Sequence, residues 1–191
     1  MKKKELNFLD CTFRDGGYYN NWDFSPQLIQ IYLNQISQTS IKYVEIGFFT
    51  LKKKNTFGLT SNIDKKFFNK IKIPENLNIG LMINASELIS KNQKNSEKMT
   101  RLKDIDYKNI KFIRIACHLS EYSKILKYII FFKKKKIKLF LNIMQISEIK
   151  NSDIKKICSY VSKKVDIIYL ADSLGSLNSN STIRIVKAFA R

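Results

Sequence analysis

Six short runs rich in β-branched and aromatic residues recur along this 191-residue chain, with amphipathic helical patterns between them. The runs cover residues 6–11, 42–47, 77–83, 111–117, 137–143 and 166–171. They start about 26 to 36 residues apart, a spacing typical of strand–helix units. Because parallel strands need a long crossover connection, usually a helix, the pattern predicts an α/β fold with a parallel sheet.

The connecting segments carry helix signals. Ser25 and Pro26 form an N-cap and first-turn pair for a helix with a predicted apolar stripe. That stripe consists of Leu28, Ile31, Tyr32, Gln35 and Ile36. Further amphipathic helices are predicted from Ser123, Ser152 and Asn180. Residues 50–61 and 90–106 are less regular, and we expect loops with short helical pieces there.

No linker or second domain is evident, so we expect residues 1–191 to form a single domain. A TIM (β/α)8 barrel usually has eight units and about 250 residues, so six units would make an incomplete barrel. A doubly wound open sheet also accommodates six strands. The order of elements therefore leaves both topologies open.

The chain is strongly basic, with a formal net charge of +19. Lysine dominates the basic residues and is accompanied by abundant isoleucine and asparagine, a combination that AT-rich codons produce without any binding role. Specific nucleic-acid readers instead concentrate arginine and aromatic residues on one face. The lysine runs 2–4, 52–54 and 133–136 lie between apolar segments. We therefore do not expect nucleic-acid binding.

The three cysteines are Cys11, Cys117 and Cys158. Their odd number and the absence of C-x-x-C spacing favour neither a disulfide framework nor a thiolate zinc site, which suggests a reducing compartment. No apolar run approaches the ~20 residues of a membrane-spanning helix. We therefore expect a cytoplasmic protein with no membrane association.

Arg14 and Asp15 lie side by side where the first strand is predicted to give way to a glycine-rich loop containing Gly16 and Gly17. At such a place the carboxylate can hold a divalent cation while the guanidinium meets an oxyanion of the bound ligand. The alternative is an ordinary Asp-Gly-Gly turn with a surface ion pair.

Other polar residues interrupt or follow the later strands. Glu45 lies within an apolar run, so we expect it to face a polar barrel mouth or a cation. Arg114 and His118 share one face of the fourth strand, and His118 is the only histidine in the sequence. His118 could equally be a hydrogen-bonded structural residue. Ser173, in the turn after the sixth strand, could offer backbone N–H groups to an anionic oxygen or belong to an ordinary turn.

Four motifs in order, residues 9–17, 44–47, 113–118 and 169–175, together resemble the DRE-TIM metallolyases. They are most similar to the 4-hydroxy-2-oxovalerate aldolase branch, which is related to hydroxymethylglutaryl-CoA lyase and isopropylmalate synthase. The resemblance covers about Leu6 to Phe189 and implies an incomplete TIM barrel. It also implies a lyase that uses Mn²⁺ or Mg²⁺ to cleave or form a carbon–carbon bond in a 4-hydroxy-2-oxo acid through a pyruvate enolate.

The resemblance also implies roles for individual residues. Asp15 corresponds to the metal-binding aspartate, Arg14 to the arginine that stabilises the enolate, and Glu45 to the family's third signature residue. Arg114 and His118 correspond to the strand-4 pair of the aldolases, and Ser173 to a residue whose backbone contacts the substrate acid.

Two features depart from the family pattern. Tyr18 stands where the aldolases have a catalytic histidine, so we place it in the catalytic set while leaving the proton shuttle open. The family also completes its metal shell with a His-x-His pair on strand 7, and this sequence holds a single histidine.

We therefore expect a lyase chain shortened before strands 7 and 8 and impaired in turnover, acting on a small 2-oxo acid. The alternative is a non-catalytic remnant that serves as a binding or interaction protein. Open sheet edges would then invite pairing in a homo-oligomer or with a complementing partner chain.

Overall fold

The computed structural model describes residues 6–52, 57–150, 152–154, 161 and 164–189. Within these residues six strands form one sheet in chain order. The strands are β1 (Leu9–Asp10), β2 (Tyr43–Phe48), β3 (Asn78–Asn84), β4 (Ile110–Cys117), β5 (Lys138–Ile143) and β6 (Ile167–Leu170). All six predicted strands are present, and none of their ends shifts by more than three residues.

Adjacent strands pair in parallel, as the spacing predicts. Leu9 lies opposite Tyr43 between β1 and β2, and Tyr43 lies opposite Asn78 between β2 and β3. The β2–β3 register shifts between Glu45 and Gly47. Parallel pairing of β5 with β6 places Phe140 opposite Ile167. The sequential order with helical connections is that of repeated strand–helix units.

Among the described residues, six longer α-helices connect or flank these strands. They are α1 (Thr12–Asn20), α2 (Pro26–Ile36), α3 (Ala85–Ile89), α4 (Asn95–Leu102), α5 (Tyr122–Lys134) and α6 (Ser179–Phe189). Residues 152–154 are also helical, and the rest of the helix predicted from Ser152 lies largely outside the described residues. None of the helices in the described part of the chain is long and apolar enough to cross a membrane.

The chain divides into two compact units, each with its own apolar interior. The first unit comprises residues 1–83 and 91–113, and the second comprises residues 84–90 and 114–191. Val44, Ile79 and Leu81 are fully buried in the first unit, whereas Ile115 and Leu139 are fully buried in the second. Branched apolar side chains on the strands therefore supply both interiors, as expected for parallel strands covered by helices.

The residues predicted as a glycine-rich loop are helical instead, and this prediction is wrong. Asp10 initiates α1, because its carboxylate oxygens accept hydrogen bonds from the Thr12 backbone N–H (3.1 Å) and the Thr12 hydroxyl (2.9 Å). The Tyr32 hydroxyl donates to Thr12 Oγ1 at 3.1 Å and ties α2 to this start. Burial raises the pKa of Tyr32 to about 12. Arg14 and Asp15 consequently lie in the first turns of a helix, and the Asp-Gly-Gly turn is also excluded.

The predicted apolar stripe of α2 is shifted. Ser25 caps the helix as expected, since its hydroxyl accepts from the Leu28 backbone N–H at 3.2 Å. The buried face, however, consists of Ile29, Leu33 and Ile36. Leu28 and Ile31 point outward, because the spacing of four and then three residues from Ile29 fixes which face packs inward. In α5, Ile125 and Ile129 are buried, while Ile130 is exposed.

Candidate active site

The guanidinium of Arg14 forms an ion pair with the carboxylate of Glu45. Arg14 Nε donates to Glu45 Oε1 at 2.6 Å. The Glu45 side chain is 0% exposed and that of Arg14 is 12% exposed. Burying a charged carboxylate is costly unless it is paired. The ion pair with Arg14 therefore lowers the cost of burying Glu45 within β2.

The same guanidinium also binds Asp15 through its other edge. Arg14 Nη1 lies 2.5 Å from Asp15 Oδ1, and Nη2 donates to Oδ2 at 2.8 Å. The Asp15 side chain is 60% exposed, unlike that of Glu45. Arg14 therefore bridges one buried and one exposed carboxylate. The structure brings together Arg14 and Asp15, which the sequence placed after the first strand, and Glu45, which it placed within the second.

Local packing explains why Arg14 lies there. Helix α1 begins directly after β1, and the β1–β2 register pairs Asp10 with Val44, the residue before Glu45. The Trp22 indole N–H donates to the Arg14 carbonyl at 2.9 Å, and its ring lies over Gly17. A Cβ on Gly17 would lie only 1.9 Å from Trp22 Cδ1. Sequence analysis missed this role of Trp22, although Gly17 was a signal that a large group comes close to α1.

Tyr18 lies one turn after Arg14 on α1. Its side chain is 63% exposed, and its ring meets that of Trp22 edge to face with the centroids 4.8 Å apart. Tyr18 and Arg14 are four residues apart, so they share a face of the helix. The predicted role of Tyr18 in proton transfer stays a prediction.

In the second unit Arg114 occupies a buried polar position. Its Nη1 donates to Asn142 Oδ1 at 3.3 Å, and its guanidinium carbon lies 5.0 Å from the centroid of the Tyr169 ring. Arg114, on β4, is thereby linked to residues of β5 and β6. A guanidinium held by an amide oxygen and an aromatic face keeps its charge at modest cost.

His118 and Ser173 also belong to the second unit. The His118 backbone N–H donates to Glu121 Oε2 at 2.9 Å, and His118 lines a cleft of about 400 Å³ with Gln145 and Glu148. Ser173 is exposed, and its hydroxyl accepts from the Gln145 backbone N–H at 3.4 Å. The Asp172 carboxylate accepts from the backbone N–H groups of Ser176 (3.2 Å) and Leu177 (2.9 Å), which makes this segment a hydrogen-bonded turn.

The described cysteines are thiols. Cys117 is buried, and this burial, reinforced by the charge of Glu121, raises its pKa to about 12. Cys11 is partly exposed at the start of α1. Cys158 lies outside the described residues.

Comparison with known proteins gives matches among solved structures. No protein-family model matches this sequence, and neither does any curated protein. The N-terminal domain of a candidate aldolase from Bacteroides vulgatus is similar with a TM-score of 0.77 and 22% identity over 97% of this chain. Hydroxymethylglutaryl-CoA lyase from Pseudomonas aeruginosa gives a TM-score of 0.72 at 11% identity over 98% of the chain. HMG-CoA lyase from Brucella melitensis gives 0.69 at 9% identity over 97%.

The chain has the fold of aldolase-type lyases. The resemblance predicted from four sequence motifs is thus confirmed at the level of the fold. The fold class is α/β, an incomplete TIM barrel of six strand–helix units, which decides against the open doubly wound sheet. The chain spans 60% of the Bacteroides structure, 64% of the Pseudomonas lyase and 68% of the Brucella lyase.

The sequence resemblance to the metallolyases implies a divalent metal, which would need ligands among the residues around Arg14. Mg²⁺ and Mn²⁺ prefer about six oxygen or nitrogen ligands, of which protein carboxylates or imidazoles supply some and water or substrate supplies the rest. Among the described residues, no group of three or more His, Cys, Asp or Glu side chains is placed to hold a metal ion. Both Asp15 oxygens are held by Arg14, and Glu45 is buried against the same guanidinium. The described residues therefore do not fit a complete Mg²⁺ or Mn²⁺ site.

Proposed function

We propose that this chain carries the enolate-binding part of an aldolase-type lyase that acts on 4-hydroxy-2-oxo acids. One observation carries the proposal. The guanidinium of Arg14 is fixed by the fully buried carboxylate of Glu45 within β2 and presents its other edge to the exposed carboxylate of Asp15. The fold shared with an aldolase-type domain and two HMG-CoA lyases supports it.

The two carboxylates differ in how easily they can leave Arg14. Glu45 is inaccessible to water, so breaking its bond to Arg14 Nε would remove the opposite charge from a buried carboxylate, which is costly. Asp15 is largely exposed and can exchange the guanidinium for water at little cost. An anionic ligand oxygen would therefore displace Asp15 from the Nη edge while Glu45 keeps the guanidinium in position.

The reaction that suits this arrangement is retro-aldol cleavage. A base takes the proton of the 4-hydroxyl, the C3–C4 bond breaks, and the aldehyde leaves. The electron pair of that bond passes into the enolate of pyruvate, whose oxygen carries the charge until a proton is added at C3. Arg14 holds this oxygen. Removing one preorganised donor of this kind typically lowers the rate about 10²- to 10³-fold.

Once displaced from Arg14, the Asp15 carboxylate would lie exposed beside the bound 2-oxo acid. The family resemblance implies that this carboxylate binds Mn²⁺ or Mg²⁺. A divalent metal, when bound there, would supply further positive charge to the enolate. The proposal therefore includes a small 2-oxo acid as the substrate and Mn²⁺ or Mg²⁺ as the cofactor. The described residues would supply only a fraction of the ligands that the metal needs.

Enolisation of pyruvate tests the proposed function without requiring the full cleavage. The purified chain is incubated with pyruvate in D₂O with Mg²⁺, and exchange of the methyl protons is followed by mass spectrometry. We expect exchange above the buffer rate. The double variant Arg14→Gln/Glu45→Gln removes both charges of the buried pair together and should return the rate to that of buffer.

The matched control is Arg184→Gln, which removes one positive charge from the exposed arginine of α6. It should exchange pyruvate protons at the wild-type rate. Wild-type exchange no faster than buffer, or equal exchange by the wild type and the double variant, would contradict the proposed function.

A further inference from the structure

Four aromatic rings of the first unit form a continuous surface, which we name the aromatic wall. It consists of Tyr18, Trp22, Phe48 and Phe57. The Trp22 ring is central, with centroid distances of 4.8 Å to Tyr18 and 5.7 Å to both Phe48 and Phe57. All three contacts are edge to face, the arrangement that aromatic pairs favour.

The aromatic wall begins at the guanidinium of Arg14. The guanidinium carbon lies 5.9 Å from the centroid of the Phe48 ring. The Trp22 indole is hydrogen-bonded to the Arg14 carbonyl, and Tyr18 lies one helical turn from Arg14 on the same face of α1. A ligand with its oxyanion on Arg14 would therefore have aromatic surface directly beside it.

The wall is rigid at its base and open at its outer edge. Phe48 is buried, and Trp22 is held by its hydrogen bond and by close packing on Gly17. Tyr18 and Phe57, in contrast, are both more than half exposed. Exposed aromatic surface gains about 25 cal/mol for each Å² that a ligand covers. Because the base is already fixed, little ordering would oppose that gain.

We infer that the aromatic wall binds an apolar, preferably aromatic, substituent of the 2-oxo acid whose oxyanion lies on Arg14. The inference rests on the proposed function and makes it more specific, since it names the class of 2-oxo acid. Pyruvate would bind the Arg14 guanidinium through its oxygen, and its methyl group is too small to cover the aromatic wall. A benzyl group would extend over Tyr18 and Trp22.

Two probes, pyruvate and phenylpyruvate, test this inference by calorimetric titration. Wild-type protein should bind phenylpyruvate about tenfold more tightly than pyruvate, the gain of roughly one well-placed ring contact. Trp22 is the only tryptophan of the chain, so quenching of its fluorescence by phenylpyruvate gives a second readout.

Substitutions in the aromatic wall test whether it causes the tighter binding of phenylpyruvate. Tyr18→Ala and Phe57→Ala should each lower the affinity for phenylpyruvate severalfold, and Phe57→Ala should leave the affinity for pyruvate unchanged. Tyr19→Ala is the matched control, since Tyr19 follows Tyr18 but is 95% exposed and outside the wall. It should change neither affinity.

The outcomes separate the two proposals. If both acids bind equally and both lose affinity in Arg14→Gln/Glu45→Gln, the inference about the wall is wrong and the proposed function stands. If neither acid binds, the proposed function itself fails. If Tyr18→Ala weakens phenylpyruvate binding but Arg14→Gln/Glu45→Gln leaves that affinity unchanged, the wall is an apolar surface unrelated to the 2-oxo acid site. The inference is then overturned.

Discussion

Arg14 Nε and Glu45 Oε1 are joined at 2.6 Å across 31 residues of sequence, and no part of the Glu45 side chain contacts water. The bond connects α1 to β2 and places a permanent positive charge just after β1 and beside Glu45 within β2. The Arg14 pairs with Glu45 and with Asp15 differ in burial, so substitutions at the two carboxylates should have different consequences.

Replacing Glu45 should destabilise the protein much more than replacing Asp15. Glu45→Gln removes one partner of a buried pair, which typically costs about 3 to 5 kcal/mol. Asp15→Asn removes an exposed partner, which should cost less than about 1 kcal/mol. Urea unfolding followed by circular dichroism measures both changes in the free energy of unfolding. Equal losses for the two variants would show that burial does not distinguish the two carboxylates.

The two glycines of α1 should respond oppositely to alanine. Gly17→Ala should destabilise the protein, since the added Cβ would lie 1.9 Å from Trp22 Cδ1. Gly16→Ala has its nearest contact at 3.8 Å and should stabilise the helix by about 0.5 to 1 kcal/mol. Thermal unfolding measures both. Combining Gly17→Ala with Trp22→Ala should recover part of the loss, and a stable Gly17→Ala protein with Trp22 in place would contradict this packing.

Cys117 should make the protein less stable at high pH. Burial raises its pKa from 9.0 to about 12, so the folded state keeps the proton that the unfolded chain releases. The stability is fully present below pH 9 and declines as the pH rises toward 12, by about 1.4 kcal/mol per pH unit. Urea unfolding at several pH values should give a steeper decline for the wild type than for Cys117→Val. Parallel declines would mean that the thiol ionises equally in both states.

Mn²⁺ alone should bind weakly to the protein. Asp15 is the one exposed carboxylate at Arg14 in the described part of the chain, and a site with so few ligands holds a divalent ion no more tightly than about 1 mM. Paramagnetic relaxation of water protons during a Mn²⁺ titration measures this. The weak binding should decrease in Asp15→Asn. Micromolar affinity would show that other residues complete a metal shell.

Much of the architecture could be predicted from the sequence because strand runs and helix caps are local signals. The six strands and the Ser25 cap appear where the pattern placed them, and Arg14, Asp15 and Glu45 converge. The convergence was predictable because neighbouring parallel strands run side by side, so the residues that follow β1 lie close to Glu45 on β2.

The remaining features depend on tertiary contacts that the local pattern does not contain. The Gly16-Gly17 pair suggested a loop, but Gly17 is required by the Trp22 ring that packs on the helix. The exposed positions of Leu28 and Ile31 depend on how α2 is rotated against its neighbours, a difference of one residue in a periodic pattern. The stacking of Arg114 on Tyr169 joins residues 55 positions apart and leaves no signal near either one.

Binding of oxalate to Arg14 is the most direct test of the proposed enolate site. Oxalate is a planar dianion with the same O–C–C–O arrangement as the enolate of pyruvate, and calorimetry measures its affinity. We expect the wild type and Arg184→Gln to bind oxalate equally, and Arg14→Gln/Glu45→Gln to bind it at least about tenfold more weakly, since a charged hydrogen bond contributes about 1.5 to 3 kcal/mol. Equal affinity of the double variant and the wild type would contradict the assignment of Arg14 as the group that holds the enolate oxygen.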